Sequence, residues 1–188
     1  MPVETDVSAV ILAGGRGTRM GGADKGLLEY RHGPLIEWVL RAIRPQVSEV
    51  LISANRNIDR YARYGCRVVQ DTPRDFSGPL AGVLAAMDAV TTPWLLVTPC
   101  DSPHLPANLT QRLLQAARAA AAPIAVAVDP QREHYTTMLV QVRLAESLRE
   151  YLLSGQRAVH TWQRELNPAR AMFAQQELRN LNTQADLA

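Results

Sequence analysis

The sequence predicts a three-layer α/β fold in which a mostly parallel central sheet carries helices on both faces. The first observation behind this prediction is the alternation of short apolar runs with amphipathic helical segments, because such alternation is typical of parallel sheets. The second is the length of 188 residues, which fits one domain over residues 1–188. The third is the composition, 47% apolar and 20% charged, which is ordinary for a globular protein and argues against disorder.

The first half of the chain supplies three strands and two helices. In order, we predict a strand over 8–12, a helix over 34–43, a strand over 49–53, a short helix over 57–64 and a strand over 67–70. The first helix follows from the spacing of Leu35, Val39 and Ile43. Pro34 lies in its first turn, where proline is tolerated. The second helix is expected to end at Gly65, because glycine commonly terminates helices.

The second half continues the alternation. In order, we predict a helix over 79–89, a strand over 94–98, a helix over 109–121, strands over 124–128 and 136–142, helices over 144–153 and 158–165, and a last strand over 171–173. The alanine-rich helix over 109–121 is distinguished from a low-complexity linker by the helical spacing of Leu109, Leu113 and Leu114. Asn108 precedes it and is a suitable N-cap residue.

Polar residues and a glycine follow the first four predicted strands. Gly14 comes after the first strand, Asn55 after the second, Asp71 after the third and Asp101 after the fourth. Ligands of open α/β sheets bind at the carboxyl ends of the strands. We therefore expect the functional site at this edge of the sheet.

The charge and the apolar segments restrict the possible partners. The net charge is +2, from 20 basic and 18 acidic residues, whereas dedicated nucleic-acid binders usually carry a large basic excess. No apolar run approaches the roughly 20 residues of a membrane span, and residues 1–6 lack an apolar signal core. We expect a cytoplasmic protein with neither a nucleic acid nor a membrane as partner.

The two cysteines suggest neither a disulfide framework nor a zinc site. Cys66 and Cys100 are far apart in the sequence and follow no metal-binding spacing. We expect both thiols to be buried or half-buried.

A glycine-rich segment follows the first strand and is the feature most indicative of function. Five glycines fall within residues 14–22, and Arg16, Arg19 and Lys25 add positive charge. Such a loop lets backbone N–H groups converge on an anion. We predict that it holds a nucleoside triphosphate, with nucleotide contacts from its first residues, Leu12, Ala13, Gly14 and Gly15. The alternative is a flexible turn between a strand and a helix.

The spacing excludes two common phosphate-binding motifs. A P-loop has its lysine directly after the last glycine, but Ala23 and Asp24 precede Lys25 here. The dinucleotide-binding motif requires a glycine at position 20, which is Met20. Lys25 is also the one lysine beside nineteen arginines. That bias is either chance or a requirement for a compact charge where a guanidinium group would not fit.

Several segments, in order along nearly the whole chain, resemble the bacterial molybdenum cofactor guanylyltransferases, the MobA family. They are Leu-Ala-Gly-Gly at 12–15, Arg-Met-Gly-Gly at 19–22, Asp-Lys-Gly-Leu-Leu at 24–28, Asn-Arg at 55–56, Gly-Pro-Leu-Ala-Gly at 78–82, Pro-Cys-Asp at 99–101 and Asn-Leu-Asn-Thr at 180–183. The first segment is shared with sugar-phosphate nucleotidyltransferases, whereas Gly-Gly-x-Asp-Lys with the late Asn-x-Asn-Thr is more specific. The resemblance implies a Rossmann-like nucleotidyltransferase fold.

The resemblance also implies a reaction. A terminal phosphate oxygen of molybdopterin would attack the α-phosphorus of GTP, and pyrophosphate would leave. Lys25 and Arg19 would hold the triphosphate and stabilise the leaving group. Asp101, the third catalytic candidate, would contact the nucleotide and hold Mg²⁺, which proteins bind through one or two carboxylates plus phosphate oxygens. The alternative for Asp101 is a turn cap before Pro103.

The remaining nucleotide candidates lie after the second and third strands. Asp71 resembles a nucleotide contact of the family, with the same turn-capping alternative. Asn55 is expected to contact the guanine edge or the ribose. Ser53 stands where related sequences have asparagine, and a serine hydroxyl can still donate and accept a hydrogen bond.

The candidates for molybdopterin binding lie elsewhere in the chain. Gly78 and Gly82 are expected near the start of a helix, where phosphate binding is favoured, although a plain loop-to-helix junction is the alternative. Asn180 and Asn182 alternate, so an extended segment would present both on one face. The family implies that these two contact the pterin. The N-terminal half would then bind the nucleotide and the C-terminal half molybdopterin.

The chain departs from the family near its middle, where His134-Tyr135-Thr136 replaces the usual His-Pro-Thr. Three functions stay open at this point. The first is GMP transfer to molybdopterin. The second is a related transfer of CMP to molybdopterin or of a nucleotide to a sugar phosphate. The third is a non-catalytic GTP-binding module that delivers cofactor. Other cofactor-biosynthesis proteins and molybdoenzyme chaperones are the expected protein partners.

Overall fold

A seven-stranded sheet forms the middle layer of the molecule in the computed structural model. The structure describes residues 4–14, 24–71 and 78–187. Gly15 and Arg19 lie outside the described residues, as does the rest of the glycine-rich loop beyond Gly14. The strands are β1 (Glu4–Leu12), β2 (Glu29–Tyr30), β3 (Gly33–Pro34), β4 (Val47–Ser53), β5 (Arg67–Val69), β6 (Trp94–Pro99), β7 (Ile124–Val128), β8 (Glu133–Gln141) and β9 (Ala169–Met172).

The sheet is mostly parallel, as predicted, with one reversed strand. Its order is β5-β4-β1-β6-β8-β7-β9, and β8 pairs antiparallel with both β6 and β7. Only residues 129–132 join β7 to β8, whereas a parallel connection needs roughly a dozen residues or more. A hairpin is therefore the connection that fits, and the expectation of a strand over 136–142 is corrected to a longer strand that begins at Glu133.

Helices cover both faces of the sheet. They are α1 (Leu35–Ile43), α2 (Ile58–Ala62), α3 (Pro79–Met87), α4 (Leu109–Ala119), α5 (Ala145–Leu153) and α6 (Val159–Glu165). One core cluster contains side chains of α1, α2 and α4, and the other contains side chains of α3, α5 and α6. The predicted three-layer arrangement is confirmed by these two separate cores. No helix in the described part of the chain is long and apolar enough to cross a bilayer.

The predicted inward faces of the helices are buried. Leu35, Val39 and Ile43 of α1 are fully buried. Gly65, in a left-handed conformation, follows α2 and its N–H bonds to Ala62 O. Cys100 is buried and Cys66 half-buried, both as free thiols.

The N-cap of α4 differs from the expectation. Asn108 lies at that position, but its side chain makes no capping hydrogen bond. Instead the Thr110 N–H at the start of the helix donates to Gln46 Oε1 at 3.0 Å. Gln46 in turn donates to the carbonyl oxygens of Ala42 and Pro106 at 2.7 and 3.0 Å. A side chain from a distant segment thus satisfies one of the orphan donors of this helix.

A small hairpin, which the sequence does not predict, lies after the glycine-rich loop and packs against the C-terminal segment. Strands β2 and β3 pair antiparallel, with Arg31 at a φ of 57° in the turn between them. Tyr30 of this hairpin packs with Leu35 and Leu181 in a third buried cluster. The C-terminal segment is therefore anchored beside the start of α1, where it reaches the edge of the sheet described below.

Candidate active site

The carboxyl ends of the central strands are held together by backbone hydrogen bonds. The N–H of Ala13 donates to Ser53 O at 2.8 Å, and the N–H of Cys100 donates to Leu12 O at 3.1 Å. The chain segments that leave β1, β4 and β6 are thereby fixed side by side. This is the edge at which the sequence predicts the site, and the predicted residues Leu12, Ala13 and Ser53 contribute to it through their backbones.

Asp101 is the centre of a polar cluster at this edge. It forms a short ion pair with Lys25 through Oδ2 and accepts a hydrogen bond from Asn180 Nδ2 through Oδ1 at 3.0 Å. Lys25 Nζ also donates to Asn182 Oδ1 at 2.8 Å. The structure thus brings together a cation, a carboxylate and two amides that are up to 157 positions apart in sequence.

The two asparagines reach this cluster because the segment between them is pinned. The Leu181 N–H donates to Asp101 O at 2.9 Å, and the Leu181 side chain is buried. Asn180 and Asn182 therefore point to the opposite side, as the alternation of an extended segment requires. Leu181 was not singled out from the sequence, although an apolar residue between two polar ones was the available signal.

Asp101 is suited to a divalent cation by its chemistry. Its side chain is 11% exposed and that of Lys25 is 23% exposed, so both charges lie partly out of water. Among the described residues, no group of three or more His, Cys, Asp or Glu side chains could hold a metal ion. A cation at Asp101 would take most of its ligands from substrate phosphates and water, which is how Mg²⁺ is usually bound.

Asn55 and Asp71 form a second polar pair beside Gly14. Asn55 Nδ2 donates to Asp71 Oδ2 at 2.7 Å, and the Asp71 N–H donates back to Asn55 Oδ1 at 3.0 Å. Burial raises the pKa of Asp71, and the hydrogen bond from Asn55 partly offsets this. The Asn55 amide also lies 3.6 Å from where a Gly14 Cβ would be. The pair joins the ends of β4 and β5 and presents both donors and acceptors.

The backbone conformation and the packing near the start of α3 favour glycine at positions 78 and 82. Gly78 is exposed, with a φ of 104° that side chains rarely adopt. A Cβ at Gly82 would lie 2.2 Å from Ser53 Oγ, so the helix could not pack against β4 with a larger residue. Ser53 itself is buried against Gly82. Ligand contacts from these three residues stay predictions.

Asp24 is a half-buried acidic residue for which the sequence predicts no role of its own. Tyr61 OH donates to its Oδ1 at 2.5 Å, and Asn57 Nδ2 donates to its Oδ2 at 2.8 Å. Arg56 Nε lies 3.6 Å from the same Oδ2. The available signal was its position directly before the lone lysine, inside the Asp-Lys-Gly-Leu-Leu segment.

The turn between β7 and β8 is shaped by a buried pair, whereas Tyr135, which stands where the family has proline, lies within β8. His134 Nε2 donates to Asp129 Oδ2 at 2.6 Å, and the other carboxylate oxygen accepts the N–H groups of Gln131 and Arg132 at 2.7 and 3.0 Å. Burial alone would raise the pKa of Asp129, but these hydrogen bonds outweigh it and hold the pKa below its usual value. Asp129 therefore fixes the turn between β7 and β8.

Comparison with known proteins identifies a family that this chain matches over most of its length. Residues 9–170 match the MobA-like NTP transferase domain. The chain is 44% identical over 185 residues to the molybdenum cofactor guanylyltransferase of Shewanella putrefaciens, covering 97% of this chain and 94% of the relative. It is 42% identical over 183 residues to the enzyme of the same name from Haemophilus influenzae, covering 96% and 95%.

Solved structures share the fold at lower sequence identity. Molybdopterin-guanine dinucleotide biosynthesis protein A from Archaeoglobus fulgidus superposes with a TM-score of 0.77 at 20% identity, covering 96% of this chain and 94% of that one. The 2-C-methyl-D-erythritol 4-phosphate cytidylyltransferase of Thermus thermophilus superposes with a TM-score of 0.69 at 18% identity, covering 100% and 96%. At such identities the likeness establishes the fold, that of nucleotidyltransferases.

Proposed function

The chain belongs to the MobA-like NTP transferase family and is a nucleotidyltransferase, and we propose that it transfers GMP from GTP to the terminal phosphate of molybdopterin. The products are pyrophosphate and the molybdopterin guanine dinucleotide cofactor. The observation that carries this proposal is the cluster in which Asp101 contacts Lys25 and Asn180 while Lys25 contacts Asn182. It joins a residue that we propose for the nucleotide, Lys25, to residues that we propose for the acceptor, Asn180 and Asn182.

On the proposed nucleotide side, a positive charge and backbone N–H groups bind the triphosphate. Lys25 neutralises the phosphates and the charge that develops on the leaving pyrophosphate, which is how proteins promote transfer to phosphorus. Leu12, Ala13 and Gly14 offer backbone at the end of β1, and Gly15 and Arg19 complete the proposed set. Asn55 and Asp71 lie at the neighbouring strand ends, where their donors and acceptors suit the guanine or the ribose.

On the acceptor side, the C-terminal segment orients molybdopterin. Asn180 and Asn182 present amides that can hydrogen-bond polar edges of a pterin or its phosphate. Gly78 and Gly82 complete the proposed acceptor set near the start of α3. Holding the attacking phosphate oxygen near the α-phosphorus converts a two-molecule encounter into a positioned reaction. The proposed division is thus an N-terminal nucleotide half and a C-terminal molybdopterin half within one domain.

Asp101 is the residue that we propose to hold Mg²⁺. When bound there, the ion would neutralise phosphate charge and help to orient the nucleotide. Asp101 now shares its two oxygens between Lys25 and Asn180. Lys25 would correspondingly exchange this carboxylate for phosphate oxygens.

We further propose that the product passes to other cofactor-biosynthesis proteins, to molybdoenzyme chaperones or to molybdoenzymes. Because the reaction consumes GTP, we place it in the cytoplasm. Both statements follow from the proposed reaction and depend on it.

A nucleotide panel tests the proposed reaction. Purified protein is incubated with Mg²⁺, molybdopterin and one of GTP, CTP, ATP or UTP, and pyrophosphate release is measured. We expect release with GTP and, with any other nucleotide, release at a rate lower by about 100-fold or more, since polar base edges discriminate strongly. Release from CTP but not from GTP would establish a cytidylyltransferase instead. GTP binding without turnover, with molybdopterin or a sugar phosphate, would favour a delivery module.

A further inference from the structure

Asp24 is a half-buried residue whose carboxyl group is turned away from solvent, and it directly precedes Lys25. Its side chain is 6% exposed and contacts Tyr61, Asn57 and Arg56. Burying a carboxylate is costly unless it is paired and hydrogen-bonded. Donors from the region 56–61 therefore converge on a single residue of the segment that carries the site lysine.

The side chain of Asn57 hydrogen-bonds Asp24 and does not cap its own helix, α2. It lies at the N-cap of α2, where asparagine normally caps the first helical N–H groups, yet its side chain makes no capping bond. Its backbone is left-handed, with a φ of 53°, a conformation that asparagine adopts more readily than most residues other than glycine. The side chain donates to Asp24 instead.

Tyr61 and Gly26 fix the other side of Asp24. Tyr61 is fully buried, and its pKa is raised by burial and by the hydrogen bond with Asp24, so the phenol stays protonated and donates. A Cβ at Gly26 would lie 2.6 Å from Tyr61 OH and 3.4 Å from Cys100 Cβ. The segment 24–26 is thus pressed against α2 with no room for a side chain at Gly26.

The turn after Asp24 transmits this position to Lys25. Leu27 N–H donates to Asp24 O at 3.0 Å and Leu28 N–H donates to Lys25 O at 3.2 Å. Residues Lys25–Leu27 form one turn of 3₁₀ helix. Because this turn is hydrogen-bonded to Asp24, a shift of Asp24 moves the backbone from which the Lys25 ammonium reaches Asp101.

We propose that Asp24, held by Tyr61 and Asn57, is a positioning residue that places Lys25 for the triphosphate. The inference rests on the proposed function, because it takes the triphosphate as the partner of Lys25. If the role of Asp24 were purely structural, disturbing it would lower the stability of the protein without a specific effect on phosphate binding. The two roles are therefore separated by comparing ligands that differ only in their phosphates.

The test uses Tyr61→Phe, which removes the hydroxyl that holds Asp24 and keeps the ring. Affinities for GTP and for GMP are measured by calorimetry with Mg²⁺ present. We expect GTP affinity to fall about tenfold, since small misplacements of a positioned charge are costly, while GMP affinity changes less than about twofold. Tyr151→Phe is the matched control, because the Tyr151 OH also donates one hydrogen bond, to Ala158 O at 2.9 Å, and Tyr151 lies in α5 on the other face of the sheet.

A double-mutant cycle decides whether the effect passes through Lys25. In the Lys25→Ala background we expect Tyr61→Phe to change GTP affinity by less than about twofold. An equal tenfold loss in both backgrounds, or an equal loss for GMP, would overturn the proposal. If Tyr61→Phe does not fold, Asp24→Asn enters the same cycle.

Pyrophosphate release by the wild-type protein is measured on the same preparation. GTP binding without release counts against the proposed reaction and leaves the binding cycle to decide the role of Asp24. A wild-type protein that binds no GTP would overturn both.

Discussion

Lys25 and Asp101 neutralise each other in a partly buried pair. If Lys25 binds the triphosphate and Asp101 binds Mg²⁺ as proposed, both charges stay compensated when the nucleotide and the cation bind together. The amides of Asn180 and Asn182 lie on the same pair. Exchange of partners at the ion pair therefore changes the amides' environment as well, which links the two proposed substrates at the level of single hydrogen bonds.

Substitution of the ion pair separates binding from chemistry. Lys25→Ala should weaken GTP binding about 100-fold and lower kcat/KM for GTP by about 10²–10³, since it removes a charge that binds the phosphates and stabilises the leaving group. Asp101→Ala should abolish turnover while sparing much of the GTP affinity. Calorimetry and pyrophosphate release measure the two quantities.

Two further variants control this prediction. Lys25→Arg should not restore activity, because a planar guanidinium group does not replace a compact ammonium in a confined turn. Arg41→Ala should have no effect, since it removes an exposed cation of α1 paired with Glu37. Full activity of Lys25→Ala would contradict the role given to this lysine.

The buried pair of Asp129 and His134 makes stability depend on pH. Because the pKa of Asp129 is held below its unfolded value, the carboxylate contributes stability above that unfolded value, and the contribution is lost as the pH falls through the folded one. Asp129→Asn should therefore cost about 2 kcal/mol near pH 7. This loss of stability should become smaller as the pH falls below about 4, because the ordinary pKa of an aspartate is about 3.9.

Urea unfolding at pH 7 and at pH 3 measures this difference. The unfolding midpoint of Asp129→Asn should lie clearly below that of the wild type at pH 7 and approach it at pH 3. A gap of the same size at both pH values would show that the charge of Asp129 is not what stabilises the turn.

At the scale of elements, the strands with strong apolar runs were predictable and the rest depended on distant contacts. The strand over 124–128 was predicted with its observed bounds, because its five residues are all apolar and all buried. The hairpin of β2 and β3 has two residues in each strand, which is too short for any periodic pattern. It is stabilised by the packing of Tyr30 against Leu181. The sequence around either residue does not predict this long-range contact.

The same limit applies to the candidate site. Residues at strand ends were predictable, because a parallel sheet brings Asn55 and Asp71 together regardless of detail. The role of Asp24 was not, since its partners Asn57 and Tyr61 are 33 and 37 positions away and carry no motif. The prediction that Asn108 caps α4 was wrong for a similar reason. The distant Gln46, and not Asn108, accepts a hydrogen bond from the first turn of this helix.

The C-terminal segment gives a prediction at this scale. Leu181 is 2% exposed and packs with Tyr30 and Leu35, so Leu181→Ala should cost roughly 2–5 kcal/mol. Its functional effect should be on the acceptor: KM for molybdopterin should rise while GTP affinity changes little, because Asn180 and Asn182 lose their anchor. Leu152→Ala in α5, also fully buried, is the control, with similar destabilisation and unchanged KM. A selective loss of GTP affinity in Leu181→Ala would contradict this division.

For the molecule as a whole, the site joins segments from both ends of the chain around one edge of the sheet. Lys25 lies near the N-terminus and Asn182 near the C-terminus, and Asp101 lies between them in sequence. A ligand that binds here to the folded state alone raises the free energy of unfolding by mass action. At about 100 times Kd, Mg²⁺ with GTP should add roughly 2.7 kcal/mol, a rise in Tm of roughly 5–10 °C for a domain of this size.

Removal of the metal tests where that stabilisation originates. With a chelator in place of Mg²⁺, GTP at the same concentration should raise Tm by less, because Asp101 would then hold no cation to neutralise the triphosphate. In Asp101→Asn the shifts with and without Mg²⁺ should become similar, whereas in Asp88→Asn, which alters an exposed pair with Arg149, they should differ as in the wild type. Thermal shifts that do not depend on Mg²⁺ in the wild type would show that Asp101 does not hold the ion.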